Sequence, residues 1–192
     1  MGIELTRIYT RTGDDGTSAL GDFTRVPKTD PRLVAYADTD EANSALGVAL
    51  ALGGADLSAD VRGVLTQVQN DLFDVGADLC VPVHDETRDR LRITQAYVDR
   101  LEESCDRFNA DLAPLRSFIL PGGTPAAALL HVARTVVRRA ERSTWALVAV
   151  DAERTHSLPA TYLNRLSDLL FILGRVANGA GGDVTWKPGE TV

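Results

Sequence analysis

The sequence lacks the features that mark several specialised classes of protein. Only 6% of its 192 residues are aromatic, three are histidine and two are cysteine. No apolar run approaches the roughly 20 residues that a membrane helix needs, and Glu4 interrupts the position where a signal peptide has its apolar core. Because Cys80 and Cys105 are far apart, we expect buried, reduced thiols rather than a disulfide framework. The sequence therefore predicts a cytoplasmic protein without a membrane segment.

Positive charge is also scarce. The chain has 20 Lys and Arg against 27 Asp and Glu, a net charge of −7. Since nucleic-acid binding depends on neutralising phosphates, we expect no nucleic-acid partner. Gly2 and Thr6 fit the bare N-myristoylation pattern, but no basic cluster supports it and one acyl chain anchors poorly, so we interpret the match as chance.

What the chain does have is helical periodicity. Apolar residues between 57 and 80 recur every three or four positions, and Asp30-Pro31 and Thr124-Pro125 each read as an N-cap followed by proline in the first turn. We predict helices over 30–52, 57–80, from 94, over 124–150, and from about 159 to the glycines at 179–182. No strand is predicted. The expected fold is an all-α, five-helix up-and-down bundle in one domain (1–192), with an N-terminal loop segment (1–29), the bundle (30–179) and a tail (180–192).

The loop from Tyr9 to Ser18 does not belong to the bundle pattern. It matches neither the Walker A nor the Gly-x-Gly-x-x-Gly motif. It does combine glycines with hydroxyl groups and cations, which could cradle a polyphosphate, although alone this is a weak signal. The residues are Thr10, Arg11, Thr12, Gly13, Gly16, Thr17, Ser18 and the later Lys28. Asp14 and Asp15 would repel phosphate unless they cap backbone amides or lie near its magnesium ion.

An inward acid and a row of arginines form a second unusual feature. Asp40 shares a helical face with Leu33 and Ala37, so we expect it to point at the core, where an unpaired acid costs several kcal/mol. The fourth helix carries four arginines and an acid: Arg134, Arg138, Arg139, Arg142 and Glu141. This row is either a solvated basic face or an anion site in which one arginine pairs with Asp40 and the others face a phosphate or carboxylate ligand.

The last helix also allows two interpretations, a solvated face or a ligand site. Asn164, Asp168, Phe171 and Arg175 form one polar stripe, which is either the solvated side of the helix or the lining of a site for a flat cofactor and a nucleotide. A di-iron site is excluded by ligand count, because Glu153 and His156 give the single Glu-x-x-His spacing, while His84 and His131 lack the glutamate. Zinc and nucleophile motifs are absent as well.

Four blocks in order resemble the PduO-type ATP:cob(I)alamin adenosyltransferases, from residue 8 to about 177. They are Tyr9-Thr-Arg-Thr-Gly-Asp-Asp-Gly16; Arg25-Val-Pro-Lys-Thr-Asp-Pro-Arg32 with Asp40-Glu41 and Asn43-Ser44; Phe118-Ile-Leu-Pro-Gly-Gly123 with Arg134 and Arg138-Arg-Ala-Glu-Arg142; and Tyr162-Leu-Asn-Arg-Leu-Ser-Asp-Leu-Leu-Phe171. Ala42, where the family usually has leucine, and Arg11, a lysine in many members, are small departures. The tail, including Trp186, matches nothing firm.

The resemblance implies a homotrimer with active sites between subunits. Cobalt of cob(I)alamin would attack the 5′-carbon of Mg-ATP, giving adenosylcobalamin and triphosphate. One subunit would bind ATP through the loop residues above and Lys28. The neighbour would contribute Arg138, Arg139, Glu141, Arg142 and Asn164, with Arg134 paired to Asp40 across the interface. Phe118 and Phe171 would press on the corrin and exclude the lower axial base, leaving four-coordinate cob(II)alamin that is easier to reduce. Core packing is the alternative role for Phe118.

Two other functions stay open at this point. A non-catalytic helical module could bind ATP to regulate or escort a cobalamin-dependent enzyme, and a purely structural bundle could carry its arginines as surface charge. Candidate protein partners of an adenosyltransferase are an electron-delivering reductase and a cobalamin-dependent mutase.

Overall fold

The computed structural model describes residues 9–83 and 90–190. The expectations for the first eight residues, including the chance myristoylation match, and for His84 lie outside these ranges. In the described ranges, none of the helices has the length and apolarity required to cross a membrane.

Five long helices make up most of the structure, as the sequence predicted. They are α1 (Pro31–Leu52), α2 (Ala59–Cys80), α3 (Gln95–Asn109), α4 (Pro125–Val150) and α5 (Leu158–Asn178). Two of the predicted caps have the expected geometry: the Asp30 carboxylate accepts from the backbone N–H of Arg32, and the Thr124 hydroxyl accepts from that of Ala127. The prolines that follow each cap sit where the helix needs no N–H donor, so these signals placed both helix starts correctly.

The helices pack around one apolar core. Helix α1 contacts α2 and α4, α4 contacts α5, and α5 contacts α3. Among the helices, α3 packs chiefly beside α5. Helix α5 contributes one apolar stripe to this core: Leu163, Leu166, Leu170, Leu173 and Ala177 are buried.

The prediction that the chain has no strand was wrong. Strands β1 (Thr17–Ala19) and β2 (Arg25–Pro27) pair in antiparallel register, with Ser18 opposite Val26. Each strand has three residues, too few for alternation of apolar and polar side chains to appear in the sequence. The turn between them closes through hydrogen bonds between Leu20 and Thr24 and from Phe23 to Leu20. This hairpin gives the N-terminal segment a defined shape next to α1.

A buried arginine ties the hairpin end of α1 to the rest of the bundle. Arg32 is 3% exposed, and its guanidinium donates to the carbonyl oxygen of Leu79 (2.9 Å), to the carboxylate of Asp151 (2.8 Å) and to the hydroxyl of Thr155 (2.7 Å). The start of α1 is thus fixed against the end of α2 and the turn after α4, and the loop that precedes α1 has a rigid base.

Both cysteines are free thiols, in agreement with the expectation of reduced residues, but they are half-buried rather than fully buried. Burial, together with the negative charge of Asp168, raises the pKa of the Cys105 thiol to about 11. The thiol is therefore neutral near pH 7.

Candidate active site

The N-terminal loop is organised by hydrogen bonds among its own polar side chains. The Asp15 carboxylate accepts from the backbone N–H (2.9 Å) and the hydroxyl (2.7 Å) of Thr17, and these bonds lower the pKa of Asp15. The hydroxyl groups of Thr10 and Thr12 lie 2.9 Å apart. Asp15 therefore caps a backbone amide. This is one of the two arrangements in which we expected an acid to be compatible with a nearby phosphate.

Arg25 holds the two sides of this loop together, and sequence reasoning assigned it no role. Its Nε donates to the hydroxyl of Thr17 (3.0 Å), and its terminal nitrogen contacts the carbonyl oxygen of Thr12 and, at 3.4 Å, the carboxylate of Asp15. The signal was available, because Arg25 lies in the second resemblance block. What the sequence lacked was the pairing of β1 with β2, which brings Arg25 opposite the loop.

Lys28 lies at the closed side of the loop. Its backbone N–H donates to the carbonyl oxygen of Gly16 (2.9 Å). A Cβ added at Gly13 would stand 3.3 Å from the Lys28 ammonium nitrogen, so this glycine lets the cation approach the backbone closely. Arg11 adopts a left-handed conformation, φ 61°, which costs a non-glycine residue about 1–2 kcal/mol. The loop thus combines a cation, close backbone and one strained residue, a pattern common at ligand sites.

The arginine row on α4 is largely exposed. Arg138 and Arg142 are exposed and linked by a hydrogen bond from the Arg142 guanidinium to the carbonyl oxygen of Arg138 (3.0 Å). Arg139 forms an ion pair with Glu41 of α1. Three guanidinium groups therefore reach one surface of the chain, where they could bind an anion. This arginine surface consists of Arg138, Arg139 and Arg142.

Arg134, one turn earlier, differs from the other three. It is half-buried, and in the part of the chain that the structure describes its Nε atom is buried without a hydrogen-bond partner. Burial, and secondly the charge of Arg138, lower the pKa of the Arg134 guanidinium. A buried, unpartnered donor of this kind is costly and indicates a missing acceptor.

Asp40 does not point into the core, and the prediction that it does was wrong. It is exposed, and so are Ala37 and Ser44 of the face assigned to the core. The buried side of α1 instead contains Ala35, Ala42, Leu46 and Ala49. Alanine occurs on both sides of this helix, so apolar spacing alone did not distinguish the buried face from the exposed one.

Asp40 lines an open cavity of about 580 Å³ between the hairpin, α1 and α2. Its walls include Leu20, Tyr36 and Phe73. Among the described residues no ion pair joins Asp40 to Arg134, so the predicted pairing is not made within one chain.

Glu141 and Asn164 are brought together, as their assignment to one site requires. The Asn164 amide donates to the Glu141 carboxylate over 3.1 Å, joining α5 to α4. Glu141 lies between Arg138 and Arg142 along the helix, so the amide and the carboxylate border the arginine surface. Asp168, on the same stripe, is exposed and pairs instead with Arg165 at 2.8 Å.

The two candidate corrin-contacting rings have different neighbours. Phe118 is 78% exposed and lies 6.1 Å from the ring of Trp186, measured between centroids. Phe171 is half-buried and meets the ring of His131 edge-on at 6.1 Å. The exposure of Phe118 argues against the alternative role in core packing, because a core side chain would be covered by its own chain.

Within the described ranges, the polar residues of the loop and the arginine surface belong to separate sets of hydrogen bonds and ion pairs. In residues 9–83 and 90–190, no hydrogen bond or ion pair links α4 to Thr10, Thr12, Thr17, Ser18 or Lys28. The same ranges hold no cluster of three or more His, Cys, Asp or Glu side chains that could bind a metal ion.

Known proteins similar to this chain show its family. Residues 8–177 match the family model for cobalamin adenosyltransferase. The chain is 64% identical over 193 aligned positions to the corrinoid adenosyltransferase of Mycobacterium leprae, covering 98% of this chain and all of the relative. The chain belongs to the cobalamin adenosyltransferase family. It is an enzyme that transfers the adenosyl group of ATP to cobalamin.

More distant members of the cobalamin adenosyltransferase family share the fold. The corrinoid adenosyltransferase of Bacillus subtilis is 41% identical, with 92% of this chain and 89% of the relative covered. A variant of the PduO-type ATP:corrinoid adenosyltransferase of Lactobacillus reuteri, solved with cobalamin and ATP, matches with a TM-score of 0.88 and 34% identity over 95% of this chain and 97% of that chain. The predicted resemblance to the PduO-type adenosyltransferases is therefore confirmed.

Proposed function

We propose that the active site forms between neighbouring subunits of a homotrimer, with the loop of one subunit facing the arginine surface of the next. The proposal rests on one observation: neither the loop nor the arginine surface forms a complete site within one chain. In residues 9–83 and 90–190, no hydrogen bond or ion pair links Thr10, Thr12, Thr17, Ser18 or Lys28 to α4, and the Nε atom of Arg134 is buried without an acceptor. Asp40 is an exposed acid at the edge of an open cavity. Pairing Asp40 with Arg134 of a second copy would satisfy that donor.

In this arrangement the triphosphate of ATP lies between two sets of cations. Lys28 and the backbone of the loop bind it from one side, with Arg11 nearby, and Arg138, Arg139 and Arg142 approach from the other. Triphosphate is a strongly charged leaving group, so neutralising and positioning it lowers the barrier most. Thr10, Thr12, Gly13, Gly16, Thr17 and Ser18 supply hydroxyl and amide donors. Glu141 and Asn164 would fix the nucleoside end through their shared hydrogen bond.

The reaction needs no protein base. The electron pair of reduced cobalt forms the Co–C bond at the 5′-carbon of ATP, the C–O bond to the phosphate breaks, and its electrons leave with the triphosphate. The chain's residues hold the two reactants in line and neutralise the leaving group. Magnesium would arrive bound to the phosphates of ATP.

Phe118 and Phe171 face the corrin in this proposal. An exposed apolar ring on the lower side of the corrin would displace the axial base and exclude water. Cob(II)alamin without its lower ligand is four-coordinate and easier to reduce, so Phe118 promotes formation of the nucleophile. A non-catalytic module that binds ATP to regulate or escort a cobalamin-dependent enzyme would lack corrin contacts, so the exposed Phe118 ring counts against it.

The proposal also places the enzyme in the cytoplasm, in keeping with two free thiols and a substrate, ATP, made there. An electron-delivering reductase and a cobalamin-dependent mutase are its candidate partners.

The test is a charge exchange across the interface. We expect wild-type protein to be trimeric by light scattering and to bind Mg-ATP. Asp40→Arg or Arg134→Asp alone should weaken assembly and reduce adenosyl transfer by at least about tenfold, and the double exchange should restore both. Equal loss in the double variant, or a wild-type protein that is an active monomer, would contradict the intersubunit site.

A further inference from the structure

The C-terminal tail pairs through a single antiparallel bridge (residues 184–186, the tail strand) with the segment that carries Phe118. The backbone N–H of Leu120 donates to the carbonyl oxygen of Val184 (2.8 Å), and that of Trp186 donates to the carbonyl oxygen of Phe118 (2.7 Å). Ile119 and Thr185 form an antiparallel bridge between these bonds. The Ser117 hydroxyl adds a bond to the carbonyl oxygen of Trp186 (2.8 Å). Residues 184–186 of the tail are therefore fixed to the Phe118 segment.

The base of this strand is anchored to the end of α5. The Arg175 guanidinium donates to the carboxylate of Asp183 over 2.8 Å, and both side chains are about nine-tenths buried. Asn178 bonds to the same carboxylate (3.0 Å) and to the backbone N–H of Thr124 (3.0 Å). The Pro-Gly-Gly turn also packs tightly against Asn178, since a side chain at Gly123 would overlap it. Tail, turn and α5 thus form one connected unit beside Phe118.

This unit contains the ring that packs against Phe118. The two rings have centroids 6.1 Å apart with an angle of 53° between their planes, within the range of favourable aromatic pairs. Trp186 is 47% exposed, so one part of its surface remains available. An exposed phenylalanine without a neighbouring ring samples several rotamers, and a ligand that requires one rotamer must pay the entropy cost of fixing it. A ring contact that fixes the rotamer beforehand reduces this cost.

We propose that Trp186 is a positioning residue for Phe118: the tail strand holds the indole where it restricts the phenylalanine ring to the orientation that displaces the lower axial base of the corrinoid substrate. The inference rests on the proposed role of Phe118 at the corrin. It assigns a task to a segment outside the family match, which ends at residue 177. Its effect should fall on the reduction of bound cob(II)alamin rather than on the binding of ATP, because the tail contacts found up to residue 190 involve Phe118, its neighbours and the end of α5.

The experiment compares Trp186→Ala, Trp186→Phe and the control Thr185→Ala with wild type. Alternation along the strand places the Thr185 side chain on the opposite face from Trp186, so the control changes the tail without removing the ring contact. Each protein, with Mg-ATP bound, receives cob(II)alamin. The absorption spectrum gives the four-coordinate fraction, stopped flow gives the rate of reduction, and steady-state assays give kcat and the KM for ATP.

We expect Trp186→Ala to lower the four-coordinate fraction and to slow reduction by about tenfold. Its KM for ATP should stay within about twofold of wild type. Trp186→Phe should recover most of the loss, and Thr185→Ala should match wild type. An unchanged four-coordinate fraction in Trp186→Ala would overturn the inference, as would a loss of equal size in ATP binding, which indicates a structural role.

A second measurement does not depend on the alanine variant folding. In a Trp145→Phe background Trp186 is the single tryptophan. Its fluorescence should be strongly quenched when cob(II)alamin binds and unaffected by Mg-ATP alone. Absence of quenching by the corrinoid would overturn the inference. If Phe118→Ala leaves the four-coordinate fraction unchanged, the proposed role of Phe118 at the corrin fails; a four-coordinate fraction that depends on Phe118 but not on Trp186 overturns only the tail's role.

Discussion

The amide of Asn164 on α5 donates to the carboxylate of Glu141 on α4 across 3.1 Å, at the edge of the arginine surface. The bond orients both side chains, and a carboxylate and an amide oxygen each have further lone pairs that can accept from a ligand. Because the carboxylate cannot donate, a ribose hydroxyl is the kind of group that could donate to it. The pair therefore suits the nucleoside end of ATP better than its phosphates.

Breaking this pair should weaken ATP binding more than the chemical step. We expect Asn164→Ala to raise the KM for ATP about tenfold, the value of one charge-assisted hydrogen bond, with a smaller change in kcat. Asp168→Asn, one turn along the same stripe, is the matched control and should leave the KM near the wild-type value. A similar increase in both variants would show a general effect on α5 instead of a specific contact.

Asp71 should be the most sensitive polar position in the core. It is 1% exposed and accepts from the Tyr162 hydroxyl (3.0 Å), the Arg100 guanidinium (2.8 Å) and the Gln67 amide (2.9 Å), so it joins α2, α3 and α5. Asp71→Ala leaves the buried Tyr162 hydroxyl without its acceptor, while the more exposed Arg100 and Gln67 can turn to water, and we expect the free energy of unfolding to fall by about 2–3 kcal/mol. Tyr162→Phe removes one bond and should cost about 0.5–1.5 kcal/mol. Urea denaturation measures both losses, and an equal loss in the two variants would contradict the network.

His131 should make stability depend on pH. It is 2% exposed, both ring nitrogens lack partners among the described residues, and Gly174 provides the space for the ring. Burial, and secondly the charge of Arg134, lower its pKa below the ordinary 6.5, against a smaller opposite effect of Asp183. The unfolded chain thus binds the proton more readily, so stability is fully present above about pH 6.5 and declines as pH falls from there toward the lowered pKa.

The test is the difference in unfolding free energy between wild type and His131→Gln from pH 7.5 to 5. Glutamine does not titrate, so the variant should lose stability less steeply below pH 6.5, and the two curves should converge on acidification. Parallel curves over the whole range would show that His131 does not titrate differently in the folded state.

Helix starts could be predicted from the sequence because caps depend on neighbouring residues. Contacts in the site could not, because they join residues that are far apart in the sequence or in different copies of the chain. Asp30-Pro31 and Thr124-Pro125 placed two helix starts because caps act within one turn. The orientation of Asp40 was wrong because alanines lie on both sides of α1. The tail's pairing with Phe118 joins residues almost 70 positions apart, and a pattern within a short window carries no information about such a contact. The Arg134 to Asp40 pair remains a prediction, since it joins two copies of the chain.

The measurement that tests the account most directly is adenosyl transfer by Arg138→Gln. Arg138 binds the triphosphate in the proposed site, so removing its charge should reduce the rate of cob(I)alamin consumption by about 100-fold or more while the oligomeric state and the helical circular dichroism stay as in wild type. Arg107→Gln, which removes an exposed arginine of α3 paired with Asp60 of α2, should leave the rate unchanged. Wild-type rates in Arg138→Gln would contradict the central claim that the α4 arginines bind the leaving group.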